Sequence, residues 1–368
     1  MTESQTPSLN IKCPNCGSPE VAFSAKTQSL YCEYCGYNKP LPKGQDGIIE
    51  RPLSESYSED NIPRGLAIQS TTFHCNSCGA DTSVPKDLPT FSCPFCGSEN
   101  VNEAAVSQRV IQPAGVLPFT VPKEEVAGKF KKWLGRGWFH PGNLKKFAKI
   151  DNIKGVYIPF WTFDAFTQSQ WRADAGFYYY VQERFRDANG NTQVRTVRKV
   201  RWQPARGYHE QFFDDVLVSA SHGVEQQMVE RIYPFALEEV VNYDSRYLLG
   251  WEAEIYQRDL RQGYDTADSI MDQHIRAACI RQIPGDTYRF LKINTEKNQH
   301  TFKHLLLPVW VAGYRYKNKV FQFLVNGQTG KIAGKKPLSF WRIALVVLLV
   351  AAAVGGLILL RETGIINV

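Results

Sequence analysis

Cysteines at metal-ligand spacing are the strongest chemical signal in this 368-residue chain. Four Cys-x-x-Cys pairs lie in the first hundred residues, each followed by glycine, and they group into two sets of four. The first set is Cys13, Cys16, Cys32 and Cys35. The second set is Cys75, Cys78, Cys93 and Cys96. Two intervening residues let both sulfurs of one turn reach a single ion, and glycine permits the tight backbone path around it.

Each set of four cysteines predicts a zinc ion inside a small β-hairpin ribbon. The alternative is two disulfides per set, which a reducing cytoplasm disfavours. With four protein ligands an ion has no open position for water, so we expect two structural Zn²⁺ ions and no catalytic one. The predicted ribbons are residues 11–37 and 73–100, segments too short to fold without metal. The ninth cysteine, Cys279, lies in a helical pattern and is expected in the core.

The charge of the predicted ribbons bears on their partners. Residues 11–37 are neutral, and residues 73–100 carry one lysine against three acidic residues. A module that reads a nucleic-acid backbone needs several basic residues on one face. The ribbons therefore favour protein partners over nucleic acid.

An apolar run near the end of the chain predicts one transmembrane helix, residues 341–361. Ile343 to Leu360 contains no charge and, at about 1.5 Å per residue, is long enough to cross a bilayer. A buried core helix is the alternative, but the run contains no charged or amide residue that would form the solvent-exposed face of such a helix. Basic residues concentrate before the run, which predicts a cytoplasmic N-terminal side. Because "MTESQTPSLN" has no signal-peptide pattern, we expect a single-pass, tail-anchored protein of the cell membrane.

Small residues in that run predict helix pairing. Ala351 and Gly355, like Ala352 and Gly356, are four residues apart and lie on one helix face. Small residues let a second helix approach closely, so this helix is expected to pair with a second copy of itself or with the membrane span of a partner.

The elements that hold these motifs together follow from hydrophobic patterning. Residues 41–69 are rich in Pro, Gly, Ser and acid and predict a linker. Residues 118–335 begin with the amphipathic helix "VPKEEVAGKFKKWL" and continue with aromatic, β-branched strands, hairpin turns at Asn189-Gly190 and Asn326-Gly327, and the helix "DTADSIMDQHIRAACIRQI". The predicted fold class is therefore α+β on antiparallel sheet, with two zinc ribbons and a transmembrane helix added.

Positive charge concentrates in the hairpin of residues 183–206. The chain carries a net charge of +7. This hairpin contains seven basic residues and only two acidic ones. The basic residues are Arg184, Arg186, Arg195, Arg198, Lys199, Arg201 and Arg206. A solvated sheet edge protected from aggregation, contact with anionic lipid or an acidic protein, and binding of nucleic acid remain open as explanations.

Other motifs predict no catalysis. In "VNGQTGKIAG", Ile332 follows Gly330-Lys331 where a phosphate-binding loop needs serine or threonine. His300 and His304 are four apart, but the glutamate of a zinc protease is missing between them. Asp164, Asp214 and Asp215 have no spacing that separates catalysis from solvation. We therefore expect a protein that is not an enzyme.

Several of these segments together resemble a known family. The ribbons, the "LPF" segment followed by "WL", the strands "YIPFWTFDA" and "LLLPVW", the "VNGQTGKIAGKKP" hairpin and the terminal span resemble bacterial membrane-anchored double zinc-ribbon proteins. The resemblance covers nearly the whole chain. It implies a scaffold with band-7 (flotillin-like) or phage-shock-type partners in envelope stress. Such proteins are often labelled primosomal, replication-factor-Y-like, a label that rests here on the shared zinc knuckles.

Two functions from different classes follow. The first is a membrane-tethered adaptor whose ribbons project on linkers to hold a protein partner. The alternative is a membrane-attached nucleic-acid-binding protein related to DNA replication or repair. Salt-dependent binding to oligonucleotides distinguishes them, because many phosphate contacts give a steep salt slope.

Overall fold

The fold is an α+β arrangement dominated by antiparallel sheet, with the two cysteine sets at one end of the chain and an apolar helix at the other. The computed structural model describes residues 12–19, 21–41, 47–54, 70–85, 92–104, 111–141, 144, 149–186, 190, 192–316 and 319–362. Most of the predicted linker 41–69 lies outside the described residues, as does Asn189 of the predicted turn at Asn189-Gly190.

The described strands differ greatly in length, from two residues to thirty-eight. In chain order they are β1 (Val21–Ser24), β2 (Ser29–Cys32), β3 (Asn38–Pro40), β4 (Arg51–Pro52), β5 (Ser70–Cys75), β6 (Asp81–Pro85), β7 (Val101–Ala104), β8 (Gly115–Val116), β9 (Lys149–Arg186), β10 (Thr192–Ser219), β11 (Val241–Asn242), β12 (Glu252–Glu254), β13 (Thr287–Tyr316), β14 (Lys319–Asn326) and β15 (Ile332–Gly334).

The helices are α1 (Lys123–Leu134), α2 (Gln226–Glu230), α3 (Leu260–Gln282) and α4 (Phe340–Glu362), with 3₁₀ turns at Leu237–Glu239 and Ser245–Leu248. Helix α1 begins after Pro122 and carries acidic residues in its first turn and lysines in its last, which complements the helix dipole. Asp259 starts α3 with a capping box to Gln262. Both helices lie where the hydrophobic pattern predicts them.

Two sheets organise the described strands. Strands β1, β2 and β3 form a small sheet that carries the first cysteine set. The large sheet has the order β11-β8-β13-β9-β12-β6-β5-β7, with β10 beside β9, β14 between β13 and β15, and β4 beside β13. Strands β5, β6 and β7 carry part of the second cysteine set, so this ribbon is continuous with the large sheet.

Three long strands extend beyond the body as an arm. We define the arm as residues 167–186 of β9, 192–211 of β10 and 287–297 of β13, with β9 in the centre. At about 3.3 Å per residue the arm portion of β9 is roughly 65 Å long. Helix α3 packs against its base, where Trp171 Nε1 donates to Gln282 Oε1 at 2.8 Å.

Aromatic residues fill the body of the fold. Trp161 and Trp310 are 0% and 3% exposed and lie in the core. Helix α1 packs its apolar face on the sheet, and Phe130 stacks on Phe323 with ring centroids 4.1 Å apart. In α3, Cys279 is fully buried beside Met271 and Ile275, as its helical pattern predicts.

The hairpin predicted at Asn326-Gly327 is present, because β14 pairs antiparallel with β15, but its loop is longer than the two residues that an Asn-Gly turn indicates. The backbone N–H of Asn326 donates to the Lys331 carbonyl, so a longer loop, 327–330, joins β14 to β15, and the positive φ falls at Gly330. The Asn326 amide donates to the carbonyls of Ile232 and Pro234. A Cβ at Gly327 would lie 2.6 Å from the Phe119 ring, so this glycine is required for close packing.

Candidate metal centres

The first cysteine set forms a compact cluster. The sulfurs of Cys13, Cys16, Cys32 and Cys35 all lie within 4.8 Å of one another. Cys13 Sγ is 3.5 Å from Cys35 Sγ, and Cys16 Sγ is 3.8 Å from Cys32 Sγ. These distances exceed the roughly 2.05 Å of a disulfide and match the edge of about 3.8 Å expected for a tetrahedron with 2.3 Å metal–sulfur bonds. The four thiols can therefore hold one metal ion.

The second set forms an equivalent cluster. Cys75 Sγ lies 3.6 Å from Cys96 Sγ, and Cys78 Sγ lies 3.5 Å from Cys93 Sγ, again within a group spanning 4.8 Å. All nine cysteines are free thiols. The eight predicted ligands are thus brought together in the predicted groups of four, and the donor set and spacing fit an ion of the size and geometry that zinc prefers.

A glycine ends each Cys-x-x-Cys turn for a conformational reason. The four glycines that follow the Cys-x-x-Cys pairs have φ between +72° and +77°. The N–H of each glycine donates to the carbonyl of the first cysteine of its pair, at 2.8 or 2.9 Å. A residue with a Cβ is strained at such φ values, so the turn requires glycine. These four residues are Gly17, Gly36, Gly79 and Gly97.

Local hydrogen bonds favour the thiolate form at one cysteine of each cluster. The Asn15 amide lies 3.5 Å from Cys35 Sγ and lowers the pKa of that thiol to about 6. The neighbouring thiol of Cys78 lowers the pKa of Cys93 to about 5. Thiolates are the species that coordinate soft and borderline metals. In the same clusters the neighbouring thiols shift the other way: the pKa of Cys16 is raised, that of Cys78 is raised, and that of Cys96 is raised to about 11.

The first ribbon is docked on the body by side chains that are distant in sequence. Trp251 Nε1 donates to the Phe23 carbonyl at 2.8 Å, and Gln28 Nε2 donates to the Phe119 carbonyl at 2.6 Å. Trp251 stacks flat on Phe119 with ring centroids 4.0 Å apart, and Phe23 contacts Tyr247 at 4.9 Å. The ribbon therefore shares its hydrophobic core with the body.

The second ribbon is joined to the body by backbone pairing as well as packing. Strand β6 pairs with β12, which pairs with β9. Phe95, between the last two cysteines, is 2% exposed, and its carbonyl accepts a hydrogen bond from Gln322 Nε2 at 2.9 Å. The expectation that the ribbons project on linkers is therefore wrong for the described residues, because both pack against the large sheet.

A buried carboxyl group lies beneath the second ribbon. Glu254, on β12, is 1% exposed and accepts a hydrogen bond from Ser221 Oγ at 2.7 Å. Burial raises the pKa of Glu254 to about 8. Beside it, Lys154 Nζ lies 2.9 Å from Glu252 Oε1 and donates to the Ser92 carbonyl next to Cys93. Hydrophobic patterning cannot identify such polar contacts, because their partners are far apart in the sequence.

The two histidines singled out in the sequence have structural roles. His304 is 3% exposed, its Nδ1 donates to the Ile111 carbonyl at 2.8 Å, and burial lowers its pKa to about 4. His300 Nδ1 lies 3.0 Å from Tyr264 Oη, and its Nε2 donates to the Lys297 carbonyl at 2.9 Å. Within the part of the chain that is described, neither histidine belongs to a group of metal-ligating side chains.

Three aspartates meet where the sequence gives no sign of a cluster. Carboxylate oxygens of Asp164, Asp214 and Asp215 lie within 4.8 Å of one another. Asp164 accepts from the Asp215 N–H and from Thr301 Oγ1, both at 2.6 Å. Lys303 Nζ, 2.6 Å from Asp215 Oδ1, already supplies a positive charge there. The cluster is thus a hydrogen-bonded ion-pair network at the join of β9, β10 and β13.

The basic hairpin forms the distal part of the arm, and its two faces differ. On one face Lys199 and Arg195 pair with Glu183 at 2.8 and 3.5 Å. On the other face Arg198 lies over the Tyr178 ring, 4.2 Å from its centroid. Near the base of the arm, Arg289 lies over Trp202 at the same distance. The hairpin is therefore a charged and aromatic surface.

The C-terminal helix has the length and composition of a membrane span. In α4 the segment Phe340–Leu357 has a mean hydropathy of 2.2, and none of it is buried against the described chain. Large apolar side chains such as Leu348 are exposed on its surface. One candidate transmembrane helix is therefore present among the described residues.

Comparison with known proteins gives one distant relative. The chain is 28% identical over 352 residues to the uncharacterized protein YdjG of Bacillus subtilis (strain 168), a match that covers 91% of this chain and 92% of that protein. No family model matches the chain, and no solved structure matches it. Because YdjG is itself uncharacterized, the similarity indicates no activity.

Proposed function

We propose that this chain is a non-catalytic, membrane-tethered zinc-ribbon adaptor that recruits protein partners at the cytoplasmic face of the cell membrane. The observation that carries the proposal is the pairing of two closed four-cysteine clusters with one exposed apolar helix in a single sheet-rich chain. Each cluster supplies four sulfurs to one ion, which leaves that ion no position for a substrate. Zn²⁺ at these sites stabilises a surface and supplies no reactive group.

Docking of the ribbons supports a rigid binding platform. Because Trp251 and Gln28 hold the first ribbon and β12 holds the second, both ribbons keep a fixed position relative to the body. A preorganised surface loses little conformational entropy on binding a partner. Partners of the band-7 (flotillin-like) or phage-shock type, in envelope stress, are the ones that the family resemblance favours.

The proposed orientation rests on charge. Lys331, Lys335, Lys336 and Arg342 precede the core of the apolar segment, and Arg361 beside Glu362 follows it. Basic residues stay on the cytoplasmic side of a membrane span. The ribbons, the sheet and the arm therefore share the cytoplasm, with α4 as a single-pass anchor.

Capture of partners from native membranes tests the proposal. Tagged full-length protein is expected to enrich a band-7-type or phage-shock-type protein. A Cys78→Ser variant should lose that partner because the second ribbon no longer binds metal. A Cys279→Ala variant, which changes a thiol outside both clusters, serves as the control. Equal capture by both variants would show that the ribbons do not recruit the partner.

The competing function is nucleic-acid binding, and the aromatic and basic surface of the arm is the observation that favours it. Proteins that bind single strands combine basic grooves with aromatic rings. Binding of oligonucleotides by the full-length protein in detergent, measured across salt concentrations, separates the two functions. A steep loss of affinity with salt would support nucleic acid and count against the adaptor.

A further inference from the structure

Three cations lie side by side across the arm. Arg206 of β10 is directly opposite Arg172 of the central strand β9, and Lys292 of β13 is opposite the same Arg172 on its other side. All three residues are exposed. We call this row the cation triad.

The triad is electrostatically unfavourable without an anion. Side chains directly opposite on neighbouring strands lie about 5 Å apart at Cβ, and like charges at that distance repel. Among the described residues no carboxylate forms an ion pair with any of the three. The nearby Asp174 is engaged with Arg289 at 3.0 Å. Glu210, further along the arm, accepts from Tyr208 Oη at 2.6 Å and from Gln168 Nε2 at 2.7 Å.

Protection of a sheet edge does not account for the triad. Charged residues on edge strands prevent pairing with other chains, and this explains cations on β10. Arg172, however, lies on β9, which has β10 on one side and β13 on the other. A cation in the centre of a three-stranded ribbon protects no edge.

The backbone beneath the triad is held rigidly. Trp171, next to Arg172, is 4% exposed and hydrogen-bonded to Gln282 of α3. Its ring packs so closely on Gly207, next to Arg206, that a Cβ there would lie 2.4 Å from it. Neighbouring residues of a strand point to opposite faces, so the helix fixes one face while the triad stands on the other. The cations therefore sit on a preorganised platform.

A concave space adjoins the triad. An open trough of about 850 Å³ is lined by the three cations, by the next polar row of the arm and by the residues between these rows. The polar row is Gln170, Tyr208 and Asn294, and the residues between are Trp171, Gly207 and Ile293. The amides of Gln170 and Asn294 add hydrogen-bond donors beside the guanidinium and ammonium groups. The trough is large enough for a phosphate group attached to a polar body.

We propose that the cation triad is a binding site for a phosphate-bearing anion. Two guanidinium groups can each form bidentate hydrogen bonds with phosphate oxygens, and the lysine adds a point charge. The ligand is either a soluble phosphate compound or a phospholipid headgroup, which present the same chemistry to the site. This site is separate from both metal centres and does not depend on the proposed adaptor function.

The test compares two variants with equal loss of charge. The first variant is Arg172→Gln, Arg206→Gln, Lys292→Gln. The matched control is Arg195→Gln, Lys199→Gln, Arg201→Gln, in which the three cations lie on the other face of the same arm. Full-length protein in non-ionic detergent is titrated with inorganic pyrophosphate and, separately, with short-chain phosphatidylglycerol added to the micelles.

Binding of either probe should weaken roughly tenfold or more in the triad variant, because charge-assisted hydrogen bonds are lost, and should change little in the control. Saturable binding of pyrophosphate assigns a soluble ligand, and binding of phosphatidylglycerol alone assigns a headgroup. If binding weakened equally in both variants, general surface charge would explain the effect, and the proposed site would be wrong. The proposal also fails if neither probe binds, including the case in which only an oligonucleotide binds.

Discussion

Each Cys-x-x-Cys-Gly turn depends on two residue types that act together. The cysteines supply ligands, and the glycine after each pair supplies the positive φ that closes the turn. Both could be predicted from the sequence, because Cys-x-x-Cys-Gly spacing is dictated by the geometry of one turn around one ion. The contacts of His304 and Glu254 could not, because their burial depends on strands that are distant in the sequence.

The first prediction concerns metal content. The wild-type chain should bind two zinc ions, and Cys16→Ser or Cys78→Ser should each reduce the content to one, because three thiolates hold zinc less tightly than four. Elemental analysis of reduced, purified protein measures this. Cys279→Ala is the control and should retain two ions. Fewer than two ions in the intact wild-type protein would contradict the assignment.

The second prediction concerns His304 and acid. Its pKa of about 4 in the folded protein lies below the ordinary value of 6.5, so between these pH values the unfolded chain binds a proton that the folded chain does not. This contribution to the unfolding free energy is present above pH 6.5 and is lost as the pH falls toward 4. The loss should reach about 3 kcal/mol at most.

Denaturant unfolding in buffered zinc checks this effect of pH. His304→Asn keeps a donor for the Ile111 carbonyl but removes the titrating ring, so its stability should depend less on pH than that of the wild type. The exposed His222 provides the control variant, His222→Asn, which should keep the wild-type slope. Identical slopes for wild type and His304→Asn would show that another group causes the acid sensitivity.

At the level of elements, the docking of the first ribbon leads to the third prediction. Trp251→Ala removes the stack on Phe119 and the hydrogen bond to the Phe23 carbonyl. The substitution should cost about 3–5 kcal/mol of stability, as for other large-to-small changes at packed aromatic residues. It should also speed zinc release from the first ribbon, because the ribbon loses its support.

The rate at which a chromogenic chelator removes zinc measures the effect of Trp251→Ala. Trp138, which is 53% exposed, provides the matched control variant Trp138→Ala. We expect the control to release zinc at the wild-type rate. An unchanged rate in Trp251→Ala would mean that the ribbon holds its metal independently of the body.

Helices and strands differed in how well the sequence predicted them. Helices α1 and α3 each have an apolar stripe, so their positions could be predicted. Helix α3 nevertheless begins at Leu260, after the Asp259 cap and five residues before the predicted segment, because its first turn adds little to the stripe. The thirty-eight residues of β9 could not be recognised as one strand. Its partner changes from β12 to β10 along its length, and no sequence pattern indicates where such a change occurs. Ribbon docking was missed for a related reason, since Trp251 is more than two hundred residues from Phe23.

The fourth prediction concerns the whole molecule. Deleting residues 338–368 should release a soluble, folded protein that keeps two zinc ions. Helix α4 meets the body mainly through short contacts at its start, where Ser339 N–H donates to the Phe139 carbonyl and Arg342 donates to the Trp138 carbonyl. Membrane fractionation, metal content and circular dichroism measure the outcome.

Replacing α4 with an unrelated membrane span is the control for this deletion and should restore membrane binding. Aggregation of the truncated chain would contradict the prediction.

The continuity of the long strands has a mechanical consequence. Strand β13 runs from the arm through the body, and β14, β15 and α4 follow it directly along the chain. A pull on the arm against an anchored α4 would load the hydrogen bonds between β9 and β13 in shear, so that many bonds resist together instead of opening one by one. The arm and α4 would then act as two ends of one stiff linkage, and tension at either end would reach the sheet against which both ribbons pack.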